Sequence, residues 1–169
     1  MWLVPADKAA DAALDKAWET LAGSRSAPPR DIELKGRVLH VPHSAHGVAS
    51  FSFAELCEKP LGASDYLRIA RDYHTVIVDH VPVMQYEDRN PAKRFIALID
   101  TLYENHVKLI ASAAAELAEL YRAQEGFEAS EFRRTISRIT EMGSESYVAL
   151  PHGHSDSTAT GSSTGLVET

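Results

Sequence analysis

The sequence predicts an α/β fold: a βαβ unit with flanking helices and a small antiparallel β-hairpin sheet. Three observations predict it. Two short apolar runs with β-branched residues, Thr75–Val78 and Val107–Ala111, bracket one strongly periodic segment. Inside that segment Phe95, Ile96, Leu98, Ile99, Leu102 and Tyr103 recur at helical spacing and cover one broad face. Strand, helix and strand within about forty residues make a crossover connection, and with it a piece of parallel sheet. Asn90-Pro91 supplies the helix start, since Pro suits a first turn and Asn can cap it. Asn105-His106 breaks the period before the second strand.

The remaining elements follow in chain order. Ala10, Leu14, Ala17, Trp18 and Leu21 share one face of a helix over residues 7–22, and Gly23 stops it. Ser24–Asp31 is a loop around Pro28-Pro29. Ile32–Leu34 and Arg37–Val41 flank Lys35-Gly36, a two-residue hairpin turn. In Val48–Phe53, Ala49, Phe51 and Phe53 alternate with Ser50 and Ser52, the period of a half-buried strand. Residues 31–53 are therefore expected to form one small antiparallel sheet. Ser52-x-x-Glu55 is a capping box for a short helix carrying Leu56 and Cys57. Beyond Gly62, Tyr66, Ile69, Ala70 and Tyr73 mark a further helix.

Past the crossover, Ala113–Arg122 reads as an Ala- and Leu-rich helix burying Leu117, Leu120 and Tyr121. A last helix over Ala129–Met142 turns Phe132, Ile136 and Ile139 inward, with Arg134, Arg138 and Glu141 opposite. Ser144–Leu150 is expected as a short strand or coil. Residues 1–150 form the domain. Residues 151–169, rich in Ser, Thr and Gly, are expected as a disordered polar tail.

Bulk properties bound the function. The chain has 169 residues and a formal net charge of −7, which argues against non-specific affinity for nucleic acid. The single cysteine, Cys57, excludes an internal disulfide and fits a reducing compartment. No stretch approaches the roughly 18 apolar residues that span a bilayer, and no transmembrane segment is expected. The start, Met1-Trp2-Leu3-Val4-Pro5, has neither the basic region nor the cleavage pattern of a signal peptide. So apolar a start reads as an edge normally covered by further protein. Trp2, Leu3 and the edge of the Thr75–Val78 strand are then expected to be exposed.

Motifs that would carry chemistry are sparse. No G-x-x-x-x-G-K-[ST] occurs, and no G-x-G-x-x-G follows a strand. The 9 glycines are scattered, so no loop can turn successive N–H groups onto a phosphate. His40, His43 and His46, and separately His152, His154 and Asp156, have spacings zinc tolerates, but solvated histidines are the better reading and no metal site is expected. Cys57 lies in an apolar setting that suits an inert thiol. Asp79 ends the first crossover strand, where α/β folds place functional acids, although a turn residue before Pro82 satisfies the same position. Arg134 and Arg138, at i and i+4, can form an anion clamp or a solvated face.

Several segments together resemble the ZapE-like (AFG-type) ATPases. They are Phe53–Cys57, Pro60–Tyr66, Tyr73–Val76 leading to Val81–Met84, Lys93–Asp100, Leu102–Glu104, Val107–Leu109 with Ser112-Ala113, and Phe132–Arg138 with Glu141-Met142. Trp2–Pro5 through Leu21 and the hairpin Gly36–Leu39 fit in the same order, so the resemblance covers about residues 2–150.

That resemblance implies the C-terminal part of a P-loop AAA+-type ATPase, with ATP and Mg2+ bound by the complete family protein. Bacterial members are linked to cell division, and mitochondrial members to quality control of inner-membrane proteins. The family's P-loop, magnesium acid and polar sensor strand belong to an N-terminal half not seen in these residues. No cofactor and no hydrolysis are therefore expected of this chain alone. Implied partners are that N-terminal ATPase half, further copies in a homo-oligomer, and a division-ring or membrane-protein client. The implied location is cytoplasmic, near the inner membrane. Arg94 lies in the family's Arg-Phe-Ile segment, and Arg134 and Arg138 match its Arg-x-x-Ser-Arg pattern, which makes all three candidate nucleotide sensors. The alternative is a stand-alone module that binds a protein client without nucleotide chemistry. For Arg94 the alternative to a sensor is a structural ion pair, with Asp100 or Glu104 holding it within one helix.

Overall fold

A computed structural model describes residues 1–153. The chain runs β1 (Trp2–Leu3), α1 (Lys8–Ala22), β2 (Arg30–Leu34), β3 (Arg37–Val41), β4 (His43–Ala45), β5 (Val48–Ser52), α2 (Ala63–Asp72), β6 (Thr75–Val81), α3 (Arg89–Glu104), β7 (Lys108–Ala113), α4 (Phe127–Met142) and α5 (Glu145–Val148). Single turns fill Ala54–Glu58 (π-type), Tyr86–Asp88 and Leu117–Glu119 (both 3-10).

The expected βαβ unit is present as β6–α3–β7, with Thr75 opposite Lys108 and Val78 opposite Ala111 in a parallel ladder. It lies at the centre of a five-stranded sheet ordered β1-β7-β6-β5-β4. Only β4 runs antiparallel to its neighbour. Strands buried on both faces need helices on both sides. On one side α2, α3 and α4 bury Tyr66, Ile69, Phe95, Leu98 and Phe132 against Phe51, Val76, Val78 and Leu109. On the other, α1 packs Leu14 and Trp18 over Val48 and Ile77. Phe95 links the larger core, with ring centroids 5.9 Å from Phe53 and 6.0 Å from Phe132.

Local signals place α1 closely. Asp7 caps it by accepting from the Ala10 N–H at 3.0 Å, and Gly23 closes it in the left-handed region at φ 72°. The Ser52/Glu55 box forms reciprocally, at 2.7 and 3.1 Å, but what it opens is one π-turn rather than an α-helix.

Five expectations are corrected. β5 does not extend the β2–β3 hairpin; it joins the main sheet, parallel to β6 and antiparallel to β4, while β2 and β3 pair alone. Alternation reports which face is buried and not which strand is the neighbour. Ala113–Arg122 is not a helix. β7 continues to Ala113, and beyond it three bonds tie the backbone to Val81 and Met84, from Ala114 N–H to Val81 O, Met84 N–H to Leu120 O and Arg122 N–H to Met84 O, on either side of the turn Leu117–Glu119. Long-range pairing here overrides a high local helix propensity.

The strand Thr75–Val78 presents no open edge, since β6 is the middle strand, and Trp2 is half-buried in β1 beside β7 with its indole N–H on Ala115 O at 3.1 Å. The crossover helix begins at Arg89, entered from the 3-10 turn, so Asn90 sits inside its first turn instead of capping it. The stretch Ser144–Leu150 holds the short helix α5 (Glu145–Val148), capped by the Ser144 hydroxyl, in place of a strand or coil. On the tail side, His152 Nε2 lies 2.6 Å from Ala70 O and Gly153 N–H donates to Asn105 O. His154, Asp156 and the rest of 154–169 lie outside the described residues.

Candidate functional site

Helices α3 and α4 lie side by side, and their shared seam is polar at its rim. Asp100 of α3 accepts from Arg134 at 3.0 Å and from Arg138, both on α4. Arg134 also reaches Glu131 at 2.8 Å within its own helix. The Arg138 guanidinium stands 4.8 Å from the Tyr103 ring centroid, and the Tyr103 hydroxyl donates to Glu141 at 2.8 Å. That bond, with some burial, pushes the Tyr103 phenol above its ordinary value. The face carrying Arg134, Arg138 and Glu141 is thus not a free solvated face but the edge that joins α4 to α3. Its spacing of i, i+4 and i+7 matches Asp100 and Tyr103, at i and i+3. Arg134 remains half exposed, at 49 % for its side chain, against 22 % for Arg138.

Arg94 is held differently from the expectation within α3. Its Nη1 donates to the Cys57 carbonyl at 3.0 Å and ties α3 to the π-turn. Of the two acids expected to hold it, Asp100 serves α4 instead, and Glu104 makes no ion pair with it. Cys57 is fully buried there, and burial pushes its thiol up to about 12. A thiol so protonated is no nucleophile.

A second constellation sits at the carboxyl end of β6. A cleft of about 690 Å³ opens between α1 and the sheet, running from Ser50 and Ile77 in mid-strand to Asp79 and His80 towards the carboxyl end of β6. Its floor is Leu14, Trp18 and Ile77; its walls include Asp11, Asp15 and Glu19 of α1 and Asp79 of β6. Asp79, singled out in the sequence, points here. Its neighbour His80 was not, although an Asp-His doublet closing a strand was the available signal. His80 occupies the left-handed region at φ 57°, at an irregularity in the β6–β7 ladder. Its N–H donates to Ser112 Oγ at 2.9 Å, Nδ1 lies 2.9 Å from Asp79 Oδ1, and Nε2 lies 3.8 Å from Asp11. The Asp79 hydrogen bond raises the His80 pKa against a small opposing effect of burial.

The loop from β1 to α1 occupies the strand-to-helix position of phosphate-binding loops. Here the helix N-terminus already holds the Asp7 carboxylate on the Ala10 N–H. The expected histidine groups scatter. His40 pairs with Asp31 at 2.7 Å, His43 meets Ala27 O at 3.1 Å, and His46 turns the chain at φ 50°. Among the described residues no three His, Cys, Asp or Glu side chains gather in a metal-binding group, and no helix is long and apolar enough to cross a membrane.

A parallel-dominated sheet with helices on both faces, beside a small antiparallel pair of strands, defines an α/β domain. The chain belongs to the AFG1-like ATPase family, whose pattern it matches over residues 1–151. It is 37% identical over 152 residues to the cell division protein ZapE of Escherichia coli K12, covering 90% of this chain and 40% of that protein. It is 31% identical over 179 residues to lactation elevated protein 1 homolog B of Danio rerio, covering 87% and 36%. The chain thus spans about two fifths of the length of these curated relatives. No solved structure matches it.

Proposed function

We propose that this chain is the coupling portion of an AFG1-like ATPase. The phosphate-binding elements come from protein beyond these residues, and the hydrolysis they perform is transmitted through the α3–α4 seam to a protein client. ATP and Mg2+ are then ligands of the assembled enzyme. The observation that carries this reading is the fork at Asp100. One carboxylate holds two arginines one helical turn apart, and one of them is half exposed. Guanidinium groups so positioned can exchange a carboxylate for phosphate oxygens, and an arginine stabilising transferred phosphoryl charge contributes on the order of 10³ or more to rate. Arg94 is the third sensor candidate. Anchored on Cys57 O, it passes movement of α3 to the π-turn.

Kinship with a cell division protein supports a division-ring client in bacteria. A homo-oligomer is the arrangement in which Arg134 meets a neighbour's nucleotide.

The test is isothermal titration of Mg-ATP into this chain alone, followed by hydrolysis assays after mixing it with the separately made N-terminal portion of a family protein. The expected result is silence alone, hydrolysis in the mixture, and a loss of about tenfold or more with Arg134→Ala or Arg138→Ala. Tight binding of ATP by the chain alone would overturn the reading. So would hydrolysis indifferent to both substitutions. Two portions that neither associate nor hydrolyse would leave a client-binding module without nucleotide chemistry.

A further inference from the structure

We infer that the cleft between α1 and the sheet is a docking groove for a lysine- or arginine-bearing segment of a partner protein. The inference does not rest on the coupling role, since it concerns the other face of the sheet and needs no nucleotide.

The groove has the build of a recognition site. Its volume, about 690 Å³, falls within the range of specific ligand pockets. Its floor is apolar, from Leu14, Trp18 and Ile77. Along one wall Asp11 and Asp15 stand one helical turn apart, and Asp79 faces them from the sheet. Glu19 continues the stripe but is matched at 3.1 Å by Arg25, which with His43 and His80 also lines the cleft. Asp79 lies 2.9 Å from His80 Nδ1, so the free carboxylate charge is that of Asp15 and Asp11. Asp15 makes no ion pair among the described residues, and Asp11 reaches only His80, at 3.8 Å. An apolar floor between carboxylate walls suits a side chain with a methylene stem and a cationic head.

Charge decides among occupants. Nucleic acid is an anion, and the acidic faces of a second copy of this chain, which carries −7 overall, are of the same sign as the walls; both are disfavoured in this groove. Residues 154–169 contain no Lys or Arg, so this chain's own C-terminal stretch does not supply the head group. A basic segment of another protein meets both the walls and the floor, in the manner of a helix or strand laid in a groove.

The test uses the full chain and a fluorescein-labelled peptide of about 15 residues with Lys, Leu and Ala in helical repeats, followed by anisotropy. A matched peptide with Glu for Lys is the charge control. The expected result is binding of the Lys peptide alone, weakened about tenfold by Asp11→Asn with Asp15→Asn, and at least about threefold by Asp79→Asn. Glu87→Gln with Glu125→Gln removes equal charge from exposed positions outside the cleft and is expected to change affinity less than about twofold. Equal losses from both double variants would reduce the effect to net charge and overturn the groove. Loss with Asp11 and Asp15 but none with Asp79 would place the peptide on the outside of α1 and overturn it too. Spermine binding as tightly as the peptide would make this a general polycation site, again against the proposal. Unchanged Trp18 fluorescence and an unchanged unfolding midpoint for Asp15→Asn alone keep the reading free of misfolding.

Discussion

Asp100 and Arg138 form the partly buried half of the fork that fastens α4 to α3, and Tyr103 covers the guanidinium from one side. Arg134 contributes the exposed half. Screening by solvent makes the two arginines unequal. Arg138→Ala is expected to cost about 1–2 kcal/mol of stability, through a charge-assisted bond and a stacked ring. Arg134→Ala should cost less than about 0.5 kcal/mol. Urea unfolding of both variants checks this, and equal costs would show that the fork is not graded by burial.

Cys57 tests the packing of the π-turn. With its thiol buried and pushed up to about 12, it should not react with Ellman's reagent at neutral pH in the folded protein. Labelling should appear only with denaturant, following the unfolding curve measured by tryptophan fluorescence. Rapid stoichiometric labelling of native protein would mean that the turn opens readily.

His80 should make stability depend on pH in one direction. Its folded pKa is raised, first by the Asp79 hydrogen bond, so its contribution is complete below the unfolded value of about 6.5 and fades as pH rises through the folded value. The ring is half exposed, which keeps the contribution under about 0.5 kcal/mol. NMR titration should place its midpoint above that of a histidine peptide, and Asp79→Asn should bring it back down. A midpoint unmoved by Asp79→Asn would assign the shift elsewhere.

Gly47 has a sharper requirement. It turns the chain at φ 80°, and a Cβ there would stand 2.5 Å from His74 Cδ2. The His74 ring is itself bridged to Thr75 Oγ1 at 2.8 Å. Gly47→Ala is expected to destabilise by about 1–3 kcal/mol from backbone strain and the clash together. His74→Ala in the same chain should recover the clash and leave the strain. Thermal unfolding of the two variants separates them, and no recovery would place the whole cost in φ.

Most elements were legible before the fold was known, and the reason is local. In α1 and α3 the apolar period of the chain is the record of which side is buried, and in β6 the unbroken apolar run marks burial on both faces. Asp7, Gly23 and the Ser52/Glu55 box act within a few residues of themselves. Family membership was legible for a similar reason, since it rests on ordered motifs. The misreadings fall where the partner is remote. Ala113–Arg122 has a helix-forming composition, yet Ala114, Leu120 and Arg122 give their backbone bonds to Val81 and Met84, which leaves only the turn Leu117–Glu119 between them.

The same division holds for function. The amino-acid order decided the βαβ unit, the lack of a glycine-rich phosphate loop and the pairing of arginines one helical turn apart. All of these are spacings along the chain. Packing decided that β5 lies beside β6, that Asp100 serves Arg134 and Arg138 rather than Arg94, and that Asp79 faces the carboxylates of α1 across a cleft. Each of these joins groups at least 27 positions apart in the chain, the distance from Ser50 to Ile77. Periodicity names the buried face of an element but carries no information about which distant element will cover it.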